Sequence, residues 1–162
     1  MMEVVEDARD AGTDDRQADF SRFVERSGER LRQAFVVRYG PEVGADVHAD
    51  VLARAWADWD RVSAMANPAG YLYVVGRTAA RRYRRWGRPP RFVVAEPVRA
   101  DDPDLFLSLG RLTEAQRVAV VLVHGYGATY QEVADLLDVP VTSVTNHVHR
   151  GLRRLRSDLE DP

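Results

Sequence analysis

Residues Thr129 to Leu159 read TYQEVADLLDVPVTSVTNHVHRGLRRLRSDL, and this stretch decides the fold class. Thr129 and Glu132 have the spacing of a capping box, in which a hydroxyl and a carboxylate satisfy the amides a helix start leaves unpaired. A short helix through Leu137 follows, with Val133, Leu136 and Leu137 inward. Asp138-Val139-Pro140 breaks it, because proline cannot continue a helix. A second helix opens near Val141. Its apolar residues Val141, Val144, Val148, Leu152, Leu155 and Leu159 recur at helical spacing and form one stripe. Short helix, tight turn and long helix make a helix-turn-helix pattern.

With the stripe inward, Thr142, Ser143, Thr145, Asn146, His147, His149, Arg150, Arg153 and Arg154 face outward. The DNA major groove admits one helix. Small polar side chains at the front of this helix suit base edges, and the guanidinium groups behind suit phosphates. The same face also fits a helical hairpin whose charged side is merely solvated, and pattern alone leaves that reading open.

Upstream, Thr113 and Gln116 form another capping box, and the helix they open runs to about His124. Gly125 and Gly127 permit the turn before Thr129. This second module begins near Asp104. Before it, Pro89, Pro90, Pro97 and Pro103 mark a stiff connector, with Phe92 to Ala95 as a weak strand candidate.

The first module is also helical. Phe20, Phe23, Val24, Leu31 and Phe35 share a face, and Tyr39-Gly40-Pro41 ends their helix. A second helix is expected from about Glu42 to Asp60, with Val43, Val47, Val51, Leu52, Ala55, Trp56 and Trp59 on its apolar side. A third runs from about Ala69 to Trp86, with Leu72, Val75, Ala79, Tyr83 and Trp86 inward. Arg77, Arg81, Arg84, Arg85 and Arg88 cluster there beside Tyr71, Tyr73, Tyr83 and Trp86. Arginine binds phosphate and aromatic rings stack on unpaired bases, which points to melted DNA. Core packing is the competing reading for Tyr83 and Trp86.

The 162 residues carry a net charge of only −2, but that charge is unevenly spread. Residues 1–17 are acidic with few large apolar side chains, and are expected to be a disordered tail. The basic residues, all arginine, concentrate in the third helix and the last one, so the local field favours a polyanion despite the small total. The absence of cysteine excludes disulfides and thiolate metal sites. His147 and His149 lie on different faces of a helix, and His48 and Asp50 lack a third partner, so no metal or catalytic set is expected. No cofactor loop is present. No apolar run approaches the ~20 residues of a membrane span, and the acidic start is unlike a secretory signal. A cytoplasmic, nucleoid-associated protein without enzymatic activity is expected.

The order of these parts resembles the extracytoplasmic function (ECF) sigma factors of the sigma-70-like family over about residues 18–159. Residues Ala45 to Trp56 resemble the family's acidic helix ending in Arg-Ala-Trp. Asn67-Pro68-Ala69-Gly70-Tyr71-Leu72-Tyr73 resembles its Asp-Pro-x-x-Trp-Leu-Tyr. Leu112 to Arg117 resembles Leu-Pro-x-x-Gln-Arg, and Tyr130 to Ala134 resembles Tyr-x-Glu-Ile-Ala. Val139 to Val144 stands where the family has Val-Ser-x-Gly-Thr-Val.

The resemblance implies an all-α chain of two small helical domains on a proline-rich linker. The expected divisions are an acidic tail at 1–17, region 2 at 18–87, a linker at 88–103 and a region 4 helix-turn-helix at 104–160. It implies binding to the clamp helices and flap of core RNA polymerase, to promoter DNA, and to an anti-sigma factor where one exists. Asp46, Asp50 and Arg54 would meet the polymerase. Asn67, Tyr71, Arg77, Thr78, Arg81 and Arg85 would meet the −10 element, and the outward face from Thr142 to Arg154 the −35 element. Ala49, Thr78 and Thr145 replace the family's usual glutamine, asparagine and lysine. These changes leave open a sigma-derived DNA-binding regulator without independent initiation activity.

Overall fold

The computed structural model describes residues 3–85 and 103–160. The connector, the strand candidate at Phe92 to Ala95, and Trp86, Arg88 and Arg91 lie outside the described residues. The fold class is as expected: every regular element among the described residues is helical. The first half comprises α1 (Glu3–Phe23), α2 (Glu29–Tyr39), α3 (Pro41–Ala57), α4 (Trp59–Ser63) and α5 (Pro68–Arg85). The second comprises α6 (Pro103–Arg111), α7 (Glu114–Val120), α8 (Tyr130–Leu137) and α9 (Val141–Glu160). Wider π-helical turns, Val24–Gly28 and Val121–Gly125, continue α1 and α7.

Local signals set most boundaries. Gly40 takes φ 86°, a left-handed value glycine tolerates, and its amide donates to Val36 O at 2.8 Å. Pro41 then occupies the first turn of α3, where its missing N–H costs nothing. Thr113 and Thr129 both make complete capping boxes. Asp138, at φ 55°, ends α8 in the left-handed region that aspartate tolerates better than most residues.

Packing corrects several expectations. The acidic leader was expected to be disordered, yet α1 is helical from Glu3. Its later turns are anchored: Arg16 lies 4.8 Å from the Trp56 ring centroid and donates to Trp56 O at 2.6 Å. Asp19 accepts from Trp59 Nε1 at 3.0 Å, and Phe20 and Phe23 pack on the tryptophan rings at 5.0–5.2 Å. These contacts give the charged helix an apolar footing that composition does not show. The expected helix to Asp60 breaks instead at Asp58, which leaves α4 as a separate turn that buries Trp59 and Val62. Trp56 itself remains partly exposed.

The α9 stripe also shifts. Val144, Val148, Gly151 and Leu155 are buried, whereas Leu152 and Leu159 are exposed. A Cβ at Gly151 would sit 2.6 Å from Val120 Cγ2, so the smallest residue defines the contact with α7. A stripe counted by hydrophobicity passes over glycine.

In the first half, α2 packs on α3, and α5 lies against both. In the second, α9 is covered by α6, α7 and α8. The two halves also touch, α5 against α8 and α2 against α7, and their buried residues form one continuous cluster.

Candidate nucleic-acid interface

The α8–turn–α9 unit presents a defined outer ridge. Thr129 Oγ1 accepts from Glu132 N at 3.1 Å, and Glu132 Oε2 accepts from Thr129 N at 2.7 Å, so the start of α8 is fixed from both ends of the box. Val133, Leu136 and Leu137 seat it in the core. The α9 helix advances about 100° per residue. Opposite its buried line, Thr142, Asn146, His149 and Arg153 therefore fall in one row, and all four are exposed. Arg150 and Arg154 are exposed to one side of that row, while Ser143, Thr145 and His147 are half-buried at its flanks. Thr145 Oγ1 donates to Val141 O at 3.0 Å, which leaves only its lone pairs outward. Arg154 Nε pairs with Asp158 at 3.3 Å. Arg150 and Arg153 make no ion pair among the described residues. The structure thus sorts the expected reading face into a central exposed row, an edge carrying Arg150, and one arginine, Arg154, already paired with Asp158.

On α5, Arg77 and Arg81 stand one turn apart and are exposed, with Thr78 beside them. They border a cleft of 310 Å³ whose other walls include Arg38, Tyr39 and, from the second half, Glu114. Thr78 Oγ1 donates to Val74 O at 3.3 Å, so its hydroxyl faces the cleft as an acceptor. Arg82 lies nearby but donates to Asp50 Oδ2 at 2.8 Å. The side chain of Arg85 lies outside the described residues.

The aromatics of α5 divide. Tyr73 is only 2% exposed, stacked on Phe35 at 5.5 Å, and its hydroxyl accepts from Arg38 Nη1 at 3.3 Å. It is a core residue and cannot stack on a base. Burial, offset in part by Arg38, pushes its phenol above the usual tyrosine range. Tyr71 is half-buried, with the Arg61 guanidinium 5.5 Å from its ring centroid and donating to its hydroxyl at 3.1 Å. Tyr83, half-buried, donates to Asp50 Oδ2 at 3.1 Å.

Asn67 serves in the fold. Its Oδ1 accepts from Gly70 N at 3.0 Å, capping α5, and its Nδ2 donates to Asp135 O at 2.6 Å on α8. The residues expected at the polymerase also differ from one another. Asp46 and Arg54 are exposed on α3. Asp50, between them, is held by Arg82 and Tyr83 and ties α3 to α5. An Asp50→Arg change would therefore disturb packing as well as charge.

Sequence reasoning passed over Arg38 and Arg117. Arg38 donates through Nε to Tyr39 OH at 3.0 Å and through Nη2 to Glu114 Oε2 at 2.5 Å. Arg117 is 8% exposed and donates to Val37 O at 3.4 Å and Leu112 O at 3.2 Å. Its burial lowers the guanidinium below the usual arginine range, opposed by Glu114. The available signal was Arg117 following Gln116 in the capped helix, which marked a motif but not its burial.

Among the described residues, no cluster of His, Asp or Glu is placed to hold a metal ion, and no helix is long and apolar enough to cross a membrane.

Residues 105–155 match the family model for sigma-70, region 4, which spans α6 through most of α9. The fold resembles the sigma factor RpoE, solved with the anti-sigma factor NepR from Bartonella quintana, at TM-score 0.62 and 22% identity, covering 88% of this chain and 98% of that one. It also resembles CnrH, solved with the cytosolic domain of CnrY, at TM-score 0.58 and 25% identity, covering 90% and 91%. The chain thus carries a sigma-70 region 4 match from α6 through most of α9, and along most of its length its fold is similar to that of a sigma factor.

Proposed function

We propose that this chain binds core RNA polymerase and directs it to a promoter, with the catalytic chemistry left to the polymerase. The observation that carries this reading is the capped α8–turn–α9 unit inside the region 4 match, with Thr142, Asn146, His149 and Arg153 in one exposed row. In that reading Thr142, Asn146 and His149 enter the major groove at the −35 element, and Arg150 and Arg153 behind them anchor to phosphate. Ser143, Thr145 and His147 flank the groove, and Arg154 contributes once released from Asp158. Arg77, Thr78 and Arg81 meet the −10 element at the α5 cleft, continued by Arg85, with Tyr71 beside them. Asn67 joins them only after leaving Asp135. Asp46 and Arg54 face the polymerase clamp, with Asp50 holding that surface in shape.

The work is cytoplasmic, at the nucleoid, and needs no cofactor. An anti-sigma factor is a natural further partner, since both structural relatives carry partner chains. The test is complex formation with sigma-free core polymerase by gel filtration, followed by run-off transcription from a selected promoter. Co-elution and a defined transcript are expected. A folded protein that binds duplex DNA but never core polymerase would overturn the reading.

A further inference from the structure

The cleft beside α5 holds both halves of a hydrogen-bonding vocabulary. Three arginines, Arg38, Arg77 and Arg81, line its 310 Å³ against one carboxylate, Glu114. Arg38 is committed within the fold, donating to Tyr39 OH at 3.0 Å, Tyr73 OH at 3.3 Å and Glu114 Oε2 at 2.5 Å. Arg77 and Arg81 stand one turn apart on α5, exposed, and make no ion pair among the described residues.

Tyr39 adds a donor. It is buried, its oxygen accepts from Arg38 Nε, and its own proton meets no acceptor among the described residues. Burial raises this phenol above the usual tyrosine range, opposed by Arg38 and Arg77, so it stays protonated at neutral pH. Native folds rarely leave a buried donor without a partner. Acceptors stand nearby. Thr78 Oγ1 spends its proton on Val74 O at 3.3 Å and presents lone pairs. Glu114 Oε1 has no partner among the described residues. Between them the cleft wall includes Val74, an apolar side chain that is 43% exposed.

A bare phosphate satisfies the cations and the phenol but leaves both acceptors empty. A DNA strand does little better, because its sugar lacks the 2′-hydroxyl. A ligand with phosphate oxygens and free sugar hydroxyls satisfies every group. The volume lies at the small end of ligand pockets, which suits one nucleotide and not a longer chain. We propose that this cleft binds a ribonucleotide, with its phosphates at Arg77, Arg81 and Tyr39, its ribose hydroxyls donating to Thr78 and Glu114, and its base against Val74. Each guanidinium fork pairs with two phosphate oxygens. The Val74 side chain makes no hydrogen bond, so base identity contributes little. The site does not rest on the sigma reading, but its consequence does: Arg77, Thr78 and Arg81 are the residues given above to the −10 element, so nucleotide and melted DNA compete for them.

Calorimetric titration of the full chain with adenosine diphosphate, its dideoxyribose form and inorganic pyrophosphate tests this at about 0.1 M salt. Adenosine diphosphate should bind tightest, with the dideoxyribose form about tenfold weaker for want of its hydroxyls. Arg77→Ala and Arg81→Ala should each weaken adenosine diphosphate by about tenfold, with helicity by circular dichroism unchanged. Thr78→Val keeps the side-chain shape and should narrow the gap between the two sugar forms. No binding of adenosine diphosphate, equal binding of both sugar forms, or affinity unchanged in the arginine variants would overturn the proposal. Adenosine diphosphate should also displace a labelled single-stranded oligonucleotide, read by fluorescence anisotropy. Binding that needs both arginines yet leaves the oligonucleotide in place would keep the nucleotide site and remove the −10 assignment from this cleft.

Discussion

Replacing Arg150 and Arg153 together by alanine should flatten the salt dependence of duplex DNA binding by a set amount. Both side chains are exposed on α9, one turn apart, and neither makes an ion pair among the described residues. Each phosphate neutralised adds about 0.9 to the slope of log affinity against log salt. Losing two contacts should therefore lower the slope by about 1.8. From 50 to 200 mM salt, a change of about 0.6 log units, wild type should lose about twelvefold more affinity than the double variant.

Arg154→Ala is the internal control. Asp158 already holds that guanidinium at 3.3 Å, and Arg111 lies 3.8 Å from the same carboxylate. Its removal should change the slope by clearly less than one contact. Fluorescence anisotropy on a labelled duplex at four salt concentrations measures all three proteins. Matched and scrambled duplexes should lose affinity alike, since phosphate contacts carry no sequence information. An unchanged slope in the double variant would mean that the arginine edge of α9 is only solvated, and would refute the phosphate assignment.

Gly44→Ala should destabilise the fold by about 1–3 kcal/mol, as overpacking does, and lower the melting midpoint by several degrees. A Cβ there would lie 2.5 Å from Val36 Cα, and backbone cannot swing aside as a side-chain tip can. A midpoint within about one degree of wild type would show that α2 and α3 can separate at little cost. His48 should make stability fall on the acid side. Burial pushes its imidazole below the usual histidine range, helped by Arg32 and opposed by Glu29 and a backbone hydrogen bond with Gly28. The folded state thus prefers the neutral ring. That contribution is complete above the unfolded value of about 6.5 and is lost as pH falls through the lower folded value. His48→Gln should reduce the decline in urea midpoint between about pH 7 and pH 5; an identical decline would place the acid sensitivity in other groups.

Some of this molecule follows from sequence alone because its causes are local. The capping boxes at Thr113 and Thr129 involve partners three residues apart, and Gly40-Pro41 acts on its own backbone. The outward face of α9 follows from helical periodicity, and so did most of the ridge from Thr142 to Arg153. Neighbours decided the rest. Tyr71 and Tyr73 look alike in sequence, yet only Tyr73 meets Phe35 and Arg38 in the core. Nothing within a few residues of Asn67 indicates that its amide bonds to Asp135, 68 positions away. Arg38 and Arg117 look like ordinary surface charges until α2 and α7 are brought together. Gly151 enters the α9 contact line because Val120 fills the space beside it, which a count of apolar residues cannot register. Hydrogen-bond spacing and backbone sterics act along the chain, so the sequence determines where helices start, stop and turn. Burial and charge pairing depend on what arrives from elsewhere, and only the tertiary structure decides which polar residues remain available to DNA and which hold the two halves together.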